Sequence, residues 1–196
     1  VALPVLTTAQ TRDVTLWITL GDSNQLVEVD AYTFKEVRRI TVDPRPHGLA
    51  ASADGSKLYL ASDQTGNFQI VDVRSGKVTA QIPLGKDPNQ MTLTDDGLFA
   101  YVPIRGEDAI AVVQLDPLRL VMKIPSPAGP HDSYAAPDSR MIYVGAQRGN
   151  AIAVVDPESR SIVNTIATTD GVRPMEPASD GKRLYASLSN LLGFVV

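Results

Sequence analysis

The chain has 196 residues, 43% hydrophobic and 20% charged, a balance that buries a core and is foreign to disordered segments. Its formal net charge is −4 with no block of one sign, and aromatics make up 6%, so neither a basic nucleic-acid surface nor a base-stacking platform is indicated. The absence of cysteine excludes disulfides, zinc–thiolate sites, iron–sulfur clusters and thiol nucleophiles, and no apolar run approaches the roughly 20 residues that span a bilayer.

The chain opens at Val1, and no basic segment followed by an apolar one precedes the first strand-like run, so no signal peptide is expected. Residues 1–12 read as an N-terminal arm or linker. From there on one period governs the sequence. Tyr59, Tyr101, Tyr143 and Tyr185 stand 42 residues apart, with Trp17 a further 42 before them. Asp54, Asp96, Asp138 and Asp180 keep the same step, as do Ile40, Ile82, Ile124 and Ile166, and Pro46, Pro88 and Pro130. Independent columns in one register mark an internal repeat.

The copy from Gly48 shows its content. Gly48 to Ser52 is a short strand of small residues, and Asp54-Gly55 supplies the positive φ of a tight hairpin. Lys57 to Ala61 is a second strand, Asp63 to Asn67 a polar loop, and Phe68 to Asp72 a third strand rich in β-branched residues. Arg74-Ser75-Gly76 turns the chain into an alternating fourth strand, Lys77 to Ile82, and Pro83 to Pro88 crosses to the next copy. Helical repeats are excluded by the missing 3.6-residue period and by prolines such as Pro103, Pro125 and Pro174. Four short antiparallel strands per copy predict an all-β fold, a β-propeller of four-stranded antiparallel blades. Residues 13–46 form a partial blade, 47–88, 89–130 and 131–174 complete blades, and 175–196 a truncated one, about 4.5 blades in all. The expectation is an arc of a larger, seven-bladed propeller, which at this period needs about 290 residues. Its open blade edges would allow self-association.

In a propeller, the residue opening each inner strand and the loop between the second and third strands lie on one face, around the channel. That column reads His47, Asn89, His131 and, in strict register, Arg173; by motif, Met175 takes the last place. Both histidines of the chain fall in it, each after a proline, and Asp132 follows the second. Imidazoles at a channel mouth suit a metal ion or an anionic ligand, with His47 and His131 as the metal ligands. Pro-His is equally a tolerated opening dipeptide whose ring bonds a nearby carbonyl. Arg148 and Arg105, in second-to-third-strand loops, add positive charge; Glu107 and Asp108 oppose it. The repeated Asp-Gly turns are structural, one per blade. No Ser-His-Asp set and no phosphate-binding glycine loop is present.

The motifs Pro46-His47-Gly48, Ser52-Ala53-Asp54-Gly55, Leu58-Tyr59-Leu60 and Ile70-Val71-Asp72 resemble the YVTN-type propeller repeat of bacterial and archaeal extracytoplasmic proteins. Ala136-Pro137-Asp138, Ile142-Tyr143-Val144 and Val154-Val155-Asp156 repeat the resemblance, while Gln114 departs from it where the other copies carry aspartate. The resemblance implies a periplasmic or secreted protein and is specific for fold rather than function. The functional expectation is a non-enzymatic binding or scaffold propeller. It would take a protein, glycan or small molecule on the channel face through His47, Asn89, His131, Asp132, Arg148 and Arg173. The alternative is a propeller enzyme or redox module, lactonase-like or haem- or metal-binding. The sequence requires no cofactor and points to no nucleic-acid partner.

Overall fold

The computed structural model describes residues 14–137, 140–190 and 194–196. The arm at residues 1–12, the turn aspartate Asp138 and Gly193 lie outside them.

Five antiparallel sheets follow one another in chain order. Blade 1 holds β1 (Thr15–Leu20), β2 (Gln25–Asp30) and β3 (Glu36–Thr41). Blade 2 holds β4 (Pro46–Ala51), β5 (Lys57–Ser62), β6 (Asn67–Asp72) and β7 (Lys77–Pro83). Blade 3 holds β8 (Thr92–Leu93), β9 (Phe99–Ile104), β10 (Ala109–Leu115) and β11 (Leu118–Pro125). Blade 4 holds β12 (Pro130–Ala135), β13 (Ile142–Ala146), β14 (Ala151–Asp156) and β15 (Ser161–Ala167). Blade 5 holds β16 (Val172–Pro177), β17 (Leu184–Leu188) and β18 (Phe194–Val195). The protein is therefore all-β with five blades in a propeller arrangement, a correction to the expected 4.5 and to seven: each partial repeat makes its own three-stranded sheet. No helix among the described residues is long and apolar enough to cross a membrane.

The repeat dictates the backbone as well as the sequence. Asp54, Asp96 and Asp180 each accept from the amide two residues on, at 2.9–3.0 Å, closing the turn between first and second strands. Gly55, Gly97 and Gly181 sit at φ near +70° in those turns, where a side chain would be strained. Asp30 and Asp156 do the same between third and fourth strands, and Asp72 there accepts from the amide of Ser75, three residues on. A bulge separates third and fourth strands at Glu28/Val29, Ile70/Val71, Val112/Val113 and Val154/Val155, the same position in four blades. Such a bulge raises the local twist of each blade.

Blades join face to face through apolar clusters. Leu26, Leu58 and Leu60 fill the space between blades 1 and 2, and Tyr59, Phe68 and Val102 that between 2 and 3. Tyr101, Ile110 and Ile142 fill it between 3 and 4, and Ile152, Met175 and Leu188 between 4 and 5. Neighbours in sequence face opposite clusters, as the two-residue strand period demands. Tyr59 and Tyr101 are buried, whereas Tyr143, at the same repeat position against the three-stranded blade 5, is only half-buried.

The inner strand of blade 3 is shorter than the repeat predicts. Asn89 turns its side-chain oxygen onto the amide of Gln90 at 3.0 Å, and Gln90 bridges in parallel to Asp132 of blade 4. The segment that would pair within its own blade is thus engaged by the next one.

Candidate functional site

The column that opens the inner strands assembles at the axis. Gln90 stitches its surroundings: its side-chain amide exchanges hydrogen bonds with the backbone of Leu49, at 3.3 and 3.2 Å. Ser133 donates to the carbonyls of Gln90 and Tyr101, at 3.2 and 2.9 Å. The inner strands of blades 2, 3 and 4 are thereby held edge against edge. Gly48 packs so tightly on the backbone of Asn89 that an added Cβ would stand 2.4 Å from its carbonyl oxygen.

This packing brings His47 and His131 together from non-adjacent blades, ring centroids 6.3 Å apart and nearly perpendicular. Asn89, on the blade between them, is fully buried. Its side-chain nitrogen has no hydrogen-bond partner. His131 Nδ1 lies 2.8 Å from Asp132 Oδ1, and Asp132 is itself buried. With a proton on Nδ1 the ring donates to this carboxylate, which fixes its orientation. His47 stands exposed at the open mouth, yet the protein behind its ring strips enough water to lower its pKa, burial being the largest cause. The charges of Asp63 and Asp132 oppose that shift; His131 and Arg105 add to it. At neutral pH His47 is an uncharged imidazole.

The surrounding loops are latched blade by blade. Asp63 donates its amide to Arg45 O, Arg105 to Asp87 O, Gln147 to Gly129 O and Ser189 to Gly171 O, at 2.7–3.2 Å. The first two latches carry salt bridges of opposite polarity. Arg45 pairs with Asp63 at 3.2 Å in blade 2, and Asp87 with Arg105 at 2.7 Å in blade 3. In blade 4, Arg148 pairs with Asp108 at 2.8 Å and also reaches Arg105 O. Arg173 donates to the Gln147 side-chain oxygen, at 3.1 and 2.6 Å in the amide orientation that suits both.

The six expected site residues thus divide. His47, Asn89, His131 and Asp132 open or follow the inner strands near the axis; Arg148, in the loop between β13 and β14, and Arg173, in β16, are engaged by Asp108 and Gln147. Val172 pairs with Leu188 as Pro130 pairs with Ala146, so strict register assigns Arg173 to the column and Met175 to the core. Sequence reasoning placed Asp63 among polar loop residues without singling it out. Its carboxylate is mostly buried, and while Oδ2 meets Arg45, Oδ1 has no partner. The signal available was its position at the end of the second strand, directly across from the column. Among the described residues no group of three or more His, Asp or Glu side chains is arranged to hold a metal ion. A separate cavity of about 570 Å³ lies between blades 4 and 5, lined by residues such as Ile152, Ile166, Leu184 and Val195, and includes none of the axial residues.

No protein-family profile matches the chain, and no curated protein matches it in sequence. Solved structures do match in fold. Hydrazine synthase of Kuenenia stuttgartiensis aligns with a TM-score of 0.85 at 23% identity, over 89% of this chain and 52% of that one. The dihydro-haem d1 dehydrogenase NirN, in complex with DHE, aligns with a TM-score of 0.72 at 19% identity, over 89% of this chain and 40% of that one. The chain spans about half the length of the first and less of the second, and at these identities the likeness is one of fold alone.

Proposed function

We propose that this chain is a ligand-binding propeller segment whose site is the axial mouth, with a binding rather than a catalytic role. The observation that carries the reading is the contact of His47 with His131 at 6.3 Å, made by residues of non-adjacent blades beside a buried Asn89. Polar side chains converging from several elements, with unpartnered buried atoms among them, are what a ligand site requires and a mere turn does not. We assign the repeat to the YVTN type and the protein to an extracytoplasmic space on the motif resemblance. The test is binding to an immobilised panel of small molecules, glycans and proteins by the unsubstituted chain and by His47→Ala/His131→Ala. The reading requires that captured ligands be lost from the double variant while its unfolding transition is kept; retention of every ligand refutes it.

A redox reading is favoured by one feature, the His131 ring oriented by the Asp132 carboxylate. If a haem were bound here, His131 would be the residue to ligate its iron, and the iron would supply the electron transfer. That one similar structure is a dihydro-haem d1 dehydrogenase agrees with this reading. Titrating haem into the protein decides it: a new absorption band abolished by His131→Ala supports a haem module, and an unchanged spectrum removes it.

A further inference from the structure

We propose that the outer edge of blade 5 is a docking groove for an extended segment of a partner polypeptide, one with an acidic residue at its N-terminal end and branched aliphatic residues on one face. The repeat shows what this place is built for. In blades 2, 3 and 4 the third strand pairs with a fourth: β6 with β7, β10 with β11, and β14 with β15. The fourth strand also fills the seam with the blade before it. Leu118 and Leu120 of β11 pack into the cluster between blades 2 and 3, and Ile162 of β15 into that between 3 and 4. Among the described residues β18 has no strand on its outer side, and an unpaired edge of this kind accepts an added strand. On the face away from blade 4, Phe194 rests edge to face on Tyr185, ring centroids 5.7 Å apart, which holds β18 to β17.

The seam beside this edge is the cavity of about 570 Å³, lined by Ile152, Ile166, Leu184, Ala186, Leu188 and Val195. Val195 stands opposite Ala186 in the strand register and so shares its face, toward blade 4. Ile166 records the unfilled space. It is 42% exposed, whereas Ile40 and Ile124, its repeat equivalents, are 4% and 5% exposed. An aliphatic side chain entering the cavity leaves water for an apolar lining. Charge sets the direction of the added strand. In blade 2, Lys57 stands opposite Asp72, and Asp72 opposite Lys77, the first residue of the fourth strand. Arg183 is the repeat equivalent of Lys57. The N-terminal end of an added antiparallel strand therefore falls beside Arg183 and Lys182, both exposed and both lining the cavity. An acidic residue there meets opposite charge, and an isoleucine or valine further along meets the apolar lining.

The chain supplies its own probe. A fluorescein-labelled peptide with the sequence of residues 158–167 carries Glu158 ahead of Ile162. It is added to the full chain while anisotropy and amide hydrogen exchange are followed. Saturable binding is expected, with exchange slowed in residues 194–196 as hydrogen bonds form along the edge. Ile162→Asp in the peptide should weaken binding at least about tenfold, the factor for one aliphatic side chain kept out of the apolar lining. Ile166→Asp in the protein, at a position exposed in the free chain, should weaken it similarly. The peptide comparison uses the unsubstituted protein and stands even if that variant fails to fold. No saturable binding, or equal binding of the Ile162→Asp peptide, overturns the proposal. Binding without slowed exchange at residues 194–196 makes the cavity an apolar pocket and overturns strand addition. Slowed exchange that needs no peptide and grows with protein concentration assigns the edge to a second copy of this chain and overturns a separate partner.

Discussion

Replacing Tyr101 by alanine removes the largest of the fully buried side chains. The ring packs among Ile110, Val112, Ile142, Val144 and Val155, closing blade 3 onto blade 4, and its hydroxyl donates to Pro157 O at 3.2 Å across 56 residues of chain. Loss of the whole side chain from a site fixed on both sides should cost about 3–5 kcal/mol. Tyr101→Phe keeps the ring and removes only the inter-blade hydrogen bond, for about 0.5–1.5 kcal/mol. Tyr143 occupies the same repeat position but is half-buried, so Tyr143→Ala should cost less, about 1–3 kcal/mol. Urea unfolding followed by far-ultraviolet circular dichroism reads all three as midpoint shifts at constant slope. If Tyr143→Ala is as costly as Tyr101→Ala, or Tyr101→Phe costs nothing, inter-blade burial does not rank these positions and the reasoning fails.

The exposed turn aspartates make a pH prediction. Hydrogen bonds from Ser52 and Ser56 lower the Asp54 pKa from 3.8 to about 2, and Asp30, Asp72 and Asp156 are lowered by similar turn contacts. Their stabilisation is complete above the unfolded value and is lost as pH falls through the folded one, so the thermal midpoint should drop between about pH 4 and 2; a flat midpoint over that window contradicts it. His47 should titrate below 6.5, assigned by comparison with His131→Ala, and its contribution to stability fades as pH falls through that lowered value; a His47 pKa at or above 6.5 would sink the account of its surroundings. Gly55→Ala, with open space around it, should cost only the left-handed backbone penalty of about 1–2 kcal/mol. Gly66→Ala should cost clearly more, since its Cβ would meet Gly85 O at 2.2 Å, and equal midpoints for the two would refute the packing of that loop.

The 42-residue repeat by itself determined the fold class, the strand order within each copy and the role of the aspartates. These are local matters: Asp-Gly turns, β-branched runs and proline breaks act within a few residues, and the same solution recurs wherever the same residues do. The histidine column was also legible, because equivalent positions in successive blades must lie on one face. The distance across that face was not legible. Whether His47 and His131 meet depends on how far each blade rotates past the last, and on Gln90 binding the strands of both neighbours instead of lengthening its own. The same holds for Arg148 and Arg173, which read as free charges in sequence and find partners 40 and 26 residues away. Asp63 shows the limit most clearly. A polar residue in a polar loop carries no mark of burial, and only the packing of blade 2 against the axis turns one of its oxygens into an unsatisfied acceptor. Periodicity fixes what each blade is, because it is encoded in neighbours along the chain. The chemistry of the mouth arises between blades, where the partners are set by tertiary contact.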